Sequence, residues 1–316
     1  MSGHGQRART LFFGSGPFAV PILEALADAP EVELVAVVSA PDRPAGRGGA
    51  MQAVPVARRA RELGLALLQP ARIRSPEAIA ALERLRPDLC VLADYGQLIP
   101  VPLLELPGRG FLNLHPSLLP RHRGAAPIQA AILAGDRETG VSLIRMDAGL
   151  DSGPIVALER VPLTGSETTP ELEARLAVAG AALLRRSLGP WLAGALEARP
   201  QSTSGVTLTR PLRREDGRLD PGRPAVELER QVRAYQPWPG SFLETSAGRL
   251  VVWRATVRPA PREGVPGELV AEGDGLGLVT VAGSLGLDEV QLAGRRRMAG
   301  AELRRGYPRL VGERVR

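Results

Sequence analysis

The sequence predicts an α/β protein in which a mostly parallel sheet is followed by a small β-barrel. In the first part of the chain, strand-like apolar runs alternate with helical runs, which favours parallel strands joined by crossover helices. In the last part, short strand-like runs follow one another at the spacing typical of a small barrel. The length of 316 residues is long for one domain and suits two.

The first part begins with a strand, Thr10 to Phe13, that runs into the turn Gly14-Ser15-Gly16. One of its helices is marked by the cap Ser75 followed by Pro76. The other predicted elements are strands at Val32 to Val38, Leu89 to Leu92, Phe111 to Leu114 and Val141 to Met146, and helices at Val54 to Leu63, Pro127 to Gly135 and Thr169 to Leu188. Because Gly189-Pro190 is a typical helix stop, we expect a second short helix after it.

A Ser/Thr/Pro-rich segment separates the two parts of the chain. We therefore predict a first domain over residues 1–198, a linker over 199–209 and a second domain over 210–316. The second domain is predicted to contain a helix at Pro224 to Tyr235 and strands at Leu250 to Val257, Glu268 to Val270, Leu278 to Val281 and Glu289 to Leu292.

The composition gives broad indications of class. The formal charge is +6, the pI is about 10.6, and all 40 basic residues are arginine. A basic surface favours polyanions such as nucleic acid through attraction and counterion release, although solubility alone is an equally good explanation. The single cysteine, Cys90, excludes a disulfide within the chain. We find no signal peptide and no transmembrane run, and we expect a soluble, cytoplasmic monomer.

The candidate catalytic residues are Asn113, His115 and Asp151. His115 is the only histidine at the end of a predicted strand, and Asn113 should project on the same side because residues i and i+2 share a face. An imidazole can exchange a proton near pH 7, and a carboxamide can donate to an oxygen that gains negative charge. A carboxylate can orient the imidazole and stabilise its charged form, and Asp151 lies on a glycine-bounded turn after the next strand. A purely structural histidine is nearly as compatible with these residues.

The pattern Gly14-x-Gly16-x-x-Ala19 indicates a different class of protein, a nicotinamide-dependent oxidoreductase. The second strand, however, is followed by Ser39-Ala40-Pro41 and does not end in an acid that would hold a ribose. A tight turn from strand to helix is the simpler role for these glycines.

Several motifs together resemble one family. The run NLHPSLLP, from Asn113 to Pro120, followed by Asp151, resembles the 10-formyltetrahydrofolate-dependent formyltransferases. RGAAPIQ and MDAGLDSG, which begin at Arg123 and Met146, resemble the branch that formylates methionyl-tRNA. FFGSGPFAVP near the start, and AYQPWPGSF and GRRRMAGAEL in the last part, extend the resemblance over nearly the whole chain.

The resemblance implies a bacterial, cytoplasmic enzyme with a Rossmann-like first domain and an OB-like second domain that binds tRNA. It implies transfer of a formyl group from 10-formyltetrahydrofolate to the α-amine of methionine on initiator methionyl-tRNA. It assigns folate binding to Ser117, Leu118, Leu119 and Pro120, and it assigns tRNA contact to Arg47, with help from Arg43, in the loop PDRPAGRG. No metal is expected, since the chain has no His/Asp/Glu cluster at ligand spacing.

The mechanism expected from the resemblance uses the three candidate residues. Asn113 and protonated His115 would hydrogen-bond the oxyanion, and Asp151 would keep His115 oriented and charged. Three alternatives stay open: a formyltransferase that acts on a small amine, the nicotinamide oxidoreductase, and a non-enzymatic RNA-binding protein. The loop PDRPAGRG and the second basic domain count against the first, and the catalytic trio would have no role in the last.

Overall fold

The computed structural model describes residues 7–45, 50–259 and 264–315, and within them the chain forms two compact units. The first unit consists of residues 7–127, Glu138–Pro162 and Glu173–Thr209. The second consists of Ile128–Arg137, Leu163–Leu172 and residues 210–315. Residues 199–209, the predicted linker, are part of the first unit.

A mixed sheet forms the centre of the first unit. Among the described residues it has seven strands in the order β10-β9-β7-β6-β1-β2-β5. The pairs from β7 to β5 are parallel, and β9 and β10 pair antiparallel at the other edge. The strands are β1 Ala8–Gly14, β2 Val32–Val38, β5 Leu67–Leu68, β6 Leu89–Ala93, β7 Phe111–His115, β9 Glu138–Arg145 and β10 Ile155–Pro162. The predicted mostly parallel α/β sheet is confirmed.

Short elements surround this sheet. The helices that lie wholly in the first unit are α1 Ala19–Ala27, α2 Pro55–Glu62, α3 Pro76–Glu83 and α4 Val101–Leu104. The predicted Ser75 cap of α3 is present, because its hydroxyl accepts a hydrogen bond from the Ala78 N–H at 3.2 Å. Two small strand pairs complete the unit: β3 Arg43–Ala45 with β4 Ala50–Gln52, and β8 Arg123–Gly124 with β11 Leu208–Thr209.

Two further helices are α5 Pro127–Ala134 and α6 Thr169–Leu192. Four leucines that share one face of α6 are buried, at Leu172, Leu176, Leu183 and Leu184. The prediction that the helix stops at Gly189-Pro190 was wrong, because α6 continues through Pro190 to Leu192. Proline removes one backbone N–H donor, and α6 ends two residues after Pro190.

The second unit is built on a curled antiparallel sheet. Its strands are β12 Ser241–Thr245, β13 Gly248–Arg258, β14 Leu269–Glu272, β15 Gly275–Val279, β16 Ser284–Leu292 and β17 Met298–Ala299. The helices α7 Ala225–Ala234 and α8 Gly300–Gly306 accompany it. One apolar core, which includes Leu228 and Val232 of α7, lies between helix and sheet. This architecture confirms the predicted small barrel-like domain of OB type.

Candidate active site

The three candidate catalytic residues meet at the carboxyl end of β7. Asn113 and His115 lie on this fully buried strand, between β6 and β9, and are only 6% and 5% exposed. Asp151 lies on the loop between β9 and β10 and brings its carboxylate to both side chains. Asn113 Nδ2 donates to Asp151 Oδ1 at 3.3 Å. Asp151 Oδ2 is 3.6 Å from His115 Nδ1, which is close but beyond a good hydrogen bond.

The imidazole of His115 is held in one tautomer. Its Nε2 lies 3.0 Å from the carbonyl oxygen of His122. Because a carbonyl can only accept, Nε2 carries a hydrogen and donates it. The neutral ring therefore leaves Nδ1 as its basic nitrogen, and that nitrogen faces Asp151. The arrangement suits a group that takes up a proton on the side of the carboxylate.

Burial lowers the pKa of His115 below its ordinary value of 6.5, although the Asp151 carboxylate and the bond to His122 oppose the shift. The neutral imidazole is therefore the resting form at pH 7. This differs from the charged histidine of the sequence-based mechanism, in which the Asp151 charge was expected to dominate. Desolvation outweighs it here because the ring is almost fully enclosed.

Asp151 is fixed by backbone as well as by side chains. The Gly124 N–H donates to Asp151 Oδ2 at 2.8 Å, so both carboxylate oxygens have partners. The residue has a φ of 47°, in the left-handed region that aspartate tolerates better than most residues. His122, whose carbonyl holds His115, also has a positive φ of 58°. Unfavourable backbone of this kind persists only where the surroundings hold it, and it often marks functional sites.

Gly124 has no room for a side chain. Its φ is 104°, and a Cβ placed on it would stand 2.2 Å from the carbonyl oxygen of Thr209 on the paired strand β11. The Gly124→Ala variant should therefore lose about 1–3 kcal/mol to the clash and a further cost of about 1–2 kcal/mol to the left-handed backbone. It should also lose activity, because the N–H that holds Asp151 moves. Thermal unfolding and kcat measure the two effects.

Gly205→Ala is a matched control for that variant. Gly205 also has a positive φ, of 76°, but no atom of the described residues lies within 4 Å of a Cβ built there. It should show the backbone cost alone and keep its activity. Equal losses in the two variants would mean that the contact with Thr209 is unimportant.

The sequence did not indicate the residues that support the catalytic loop. Thr207 Oγ1 accepts from the His122 N–H at 2.7 Å, and Thr209 Oγ1 accepts from the Ala126 N–H at 3.0 Å. Gln201 contacts the loop that carries Asp151. Thr207 and Thr209 lie more than 80 positions after the residues whose N–H groups they bind. Gln201 lies 50 positions after Asp151. No local pattern could therefore have revealed these contacts.

A cavity of about 120 Å³ adjoins the trio. Its apolar wall includes Leu92, Ile99, Ile144 and Met146, and its polar end includes Asn113 and Asp151. Pockets for whole drug-sized ligands measure about 300–1,000 Å³. The cavity can therefore enclose only a small part of such a ligand, and the rest would extend outside.

None of the four residues predicted to bind folate lines this cavity. Ser117 and Leu119 are buried, and Leu118 and Pro120 are half-buried. The hydroxyl of Ser142 links the segment to β9, since it accepts from the Leu119 N–H at 3.0 Å and donates to the Ser117 carbonyl at 2.6 Å. Folate binding by these four residues stays a prediction.

Of the two arginines predicted to contact tRNA, the structure describes Arg43. Arg43 is exposed at the start of β3. Arg47 lies outside the described residues. Exposure leaves Arg43 accessible to a polyanion, so its predicted role stays open to test.

The glycine-rich turn after β1 is filled by protein. A Cβ on Gly16 would stand 1.7 Å from the Asp94 carboxylate. The backbone N–H groups of Ser15 and Gly16 both donate to the Asp94 carbonyl. A dinucleotide phosphate needs such N–H groups and is repelled by a carboxylate, so the turn does not fit the nicotinamide alternative.

The residues that the structure describes contain no group of three or more His, Cys, Asp or Glu side chains that could hold a metal ion. Among the same residues, no helix has the length and apolar character needed to cross a membrane.

Comparison with known proteins gives the family. Residues 7–188 match the model of the formyl transferase family, and residues 211–308 match that of the formyl transferase C-terminal domain. The methionyl-tRNA formyltransferase of Thermus thermophilus is 46% identical over 308 residues, which cover 97% of this chain and 99% of that protein. The methionyl-tRNA formyltransferase of Myxococcus xanthus is 44% identical over 95% of this chain and 96% of its own. The chain belongs to the methionyl-tRNA formyltransferase family.

Solved structures place this methionyl-tRNA formyltransferase family member in a wider fold group. HypX from Aquifex aeolicus, crystallised with tetrahydrofolic acid, superposes with a TM-score of 0.64 at 17% identity over 97% of this chain. The chain spans about half the length of HypX, 48%. WlaRD, a sugar 3N-formyl transferase crystallised in the presence of dTDP and 5-N-formyl-THF, gives 0.67 at 14% identity over 92% of this chain and 100% of its own. At these identities the likeness shows a shared fold.

Proposed function

We propose that this protein transfers the formyl group of 10-formyltetrahydrofolate to the α-amine of methionine on initiator methionyl-tRNA. Relatives named methionyl-tRNA formyltransferase align with nearly the whole chain. Family models match both the first part of the chain and the last part. The observation that carries the chemistry is the trio of Asn113, His115 and Asp151, gathered beside a cavity with one apolar wall. The product would be N-formylmethionyl-tRNA, used in translation initiation.

We infer that the ring of the folate enters this cavity and that the formyl oxygen lies toward Asn113. A primary amide nitrogen carries two hydrogens, and Asn113 Nδ2 uses one on Asp151. The other is available for the oxygen that becomes negative when the amine attacks the formyl carbon. Because Asp151 fixes the amide before reaction, this donor needs no reorganisation in the transition state.

His115 and Asp151 serve the proton that the amine must lose. His115 Nδ1 faces the carboxylate, and Nε2 is committed to the His122 carbonyl. Nδ1 takes up the proton as the carbon–nitrogen bond forms, and the Asp151 carboxylate stabilises the imidazolium within a largely buried site. The charged ring can then return the proton as the folate nitrogen leaves. General acid–base help of this kind contributes about 10²–10⁴-fold.

The pH dependence follows from the lowered pKa of His115. Because only the neutral ring accepts a proton, kcat/KM should rise with pH as His115 loses its proton through the lowered pKa. The α-amine of the substrate must also be deprotonated, which adds a second rise at about 7.7–8.0. The unfolded chain binds the His115 proton more readily between the lowered pKa and 6.5, so the free energy of unfolding should also rise with pH in that window. A pH–rate profile and thermal unfolding at matched pH measure these effects. An NMR titration in which His115 of the folded protein titrates above 6.5 would contradict the neutral resting state.

Comparing methionyl initiator tRNA with methionyl elongator tRNA tests the function. We expect formyl transfer from 10-formyltetrahydrofolate to the initiator only. Transfer to neither, with folate still bound, would move the acceptor to a small amine. Failure to bind the folate would remove the proposal altogether.

Arg43 and Arg47 are proposed to contact the tRNA backbone. Arg43→Ala should raise KM for the tRNA with little change in kcat, and it should reduce the slope of log affinity against log salt by about 1. Steady-state kinetics over a salt series measure both quantities. Arg74, an exposed arginine on another loop, gives a charge-matched comparison as Arg74→Ala. The same change in both variants would indicate net charge and no specific contact.

A further inference from the structure

The side chain of Gln201 connects the two loops that build the active site. Its Nε2 donates to the carbonyl oxygens of Asp151, at 2.7 Å, and Gly153, at 2.8 Å. Its Oε1 accepts from Arg123 Nη2 at 2.7 Å and from Arg123 Nε at 3.1 Å. One amide therefore uses both of its ends, and each end bonds a different loop.

These two loops supply the groups that fix the reacting side chains. Arg123 stands between His122, whose carbonyl holds His115, and Gly124, whose N–H holds the Asp151 carboxylate. The other loop carries Asp151 itself. Gln201 bonds the backbone of Asp151 while Gly124 bonds its side chain. Asp151, whose backbone is left-handed, is therefore held through both its carbonyl oxygen and its carboxylate.

We propose that Gln201 is a positioning residue for formyl transfer, which keeps the Asp151 carboxylate directed at His115 and Asn113 by tying its loop to Arg123. The kinetic part of this inference rests on the proposed function. Gln201 touches neither His115 nor the amide of Asn113 in the contacts described, so its effect passes through Asp151. The length of a glutamine is required, since its amide spans two carbonyls and a guanidinium.

The first test replaces Gln201 by methionine, which has a similar length and no charge. Loss of both sets of hydrogen bonds should lower kcat by about 10- to 10²-fold, the cost of a small misplacement of a catalytic group. KM for the folate should change by only a few-fold. A kcat close to that of the unaltered enzyme would overturn the proposal.

Gln201→Glu separates the two ends of the side chain. A carboxylate can still accept from Arg123, but it cannot donate to the carbonyls of Asp151 and Gly153. We expect the same loss of kcat as in Gln201→Met, because the donor end is the one that holds Asp151. This variant also serves if Gln201→Met folds poorly. Unchanged kcat in Gln201→Glu would show that the Asp151 loop does not need the bond.

The titration of His115 gives a readout that a merely structural role would not move. The titratable groups that act on His115 are Asp151, which raises its pKa, and His122, which lowers it. In Gln201→Met the carboxylate should move away, so His115 should titrate at lower pH, as it should in Asp151→Asn. The chain has three histidines, which makes the imidazole NMR signals assignable by substitution. An unmoved or raised titration would overturn the proposal whatever the rates.

Gln69→Met is the matched control for the titration. Gln69 also uses both ends of its amide. Its Nε2 donates to the Ala40 carbonyl at 2.8 Å and to Asp42 Oδ1 at 2.7 Å, and its Oε1 accepts from Arg61 at 3.0 Å. It should leave the titration of His115 in place.

A double variant decides whether Gln201 acts through Asp151. The effects of substitutions in residues that act together are not additive. Gln201→Met should therefore lower kcat little further in a protein that already carries Asp151→Asn. A full additional loss there would overturn the proposal. If the unaltered enzyme fails to formylate methionyl-tRNA, the proposed function fails, while the His115 titration still decides whether Gln201 positions Asp151.

Discussion

Asn113→Ala is expected to lower kcat for formyl transfer by about 10²–10³-fold, the usual cost of one lost oxyanion donor. The donor acts on charge that appears only in the transition state, so folate binding should be nearly unchanged. Single-turnover transfer with both substrates saturating measures the rate, and equilibrium titration of the folate measures binding. Asn113 is buried on a central strand, so thermal unfolding of the variant should be recorded beside the rate.

The outcome for Asn113→Ala separates two roles of the amide. If the amide serves only to hold Asp151 through the 3.3 Å bond, the rate should fall no further than in a variant that lacks the Asp151 charge. If it also meets the oxyanion, the loss should persist when Asp151 is already replaced. A change of less than a few-fold in kcat would contradict both roles.

Asp151→Asn is expected to lower kcat by about 10²–10⁴-fold, because the imidazolium of His115 loses the charge that stabilises it. Asparagine tolerates the left-handed backbone that Asp151 adopts, and its single oxygen can still accept from the Gly124 N–H. Its NH2 group then replaces Oδ1, so Asn113 Nδ2 loses its acceptor while the loop keeps its backbone bond. The loop geometry should therefore change little, and the loss of rate reports the charge together with the bond to Asn113. The pKa of His115 should fall further, since the Asp151 carboxylate is the group that does most to raise it.

The result that would contradict this assignment is near-normal turnover in Asp151→Asn. Asp151→Ala is a less clean substitution, because alanine pays the left-handed backbone cost and leaves the Gly124 N–H without its acceptor. A comparison of the two variants separates loss of charge from loss of loop geometry.

The sequence was sufficient to predict that Asn113, His115 and Asp151 lie together, because their signals are local. Asn113 and His115 share a face through the two-residue period of a strand, and Asp151 follows the neighbouring strand on a glycine-bounded turn. The mostly parallel sheet and the curled second sheet also follow from local patterns of apolar residues. These features need no knowledge of which distant residues meet.

The supporting residues could not be predicted in the same way. Thr209 and Ala126 are 83 positions apart, and the backbone bond of Gln201 to Asp151 spans 50. Ser, Thr and Pro are frequent in segment 199–209, which reads locally as a linker, and only tertiary contacts show its second role. The neutral state of His115 was missed for a related reason, because the extent of burial decides between desolvation and attraction to Asp151.

The strand pair β8–β11 limits how far the chain can be shortened from its C-terminal end without losing contacts around the candidate active site. A gene fragment that stops after α6 would encode Asn113, His115 and Asp151, yet it would leave the N–H groups of His122 and Ala126 without Thr207 and Thr209. A fragment that keeps these two bonds must therefore extend at least to Thr209. For the same reason, a gene fusion that attaches this part of the chain to another acceptor-binding module must carry these residues along, so the junction in evolution should fall after Thr209 and not at the end of the helix.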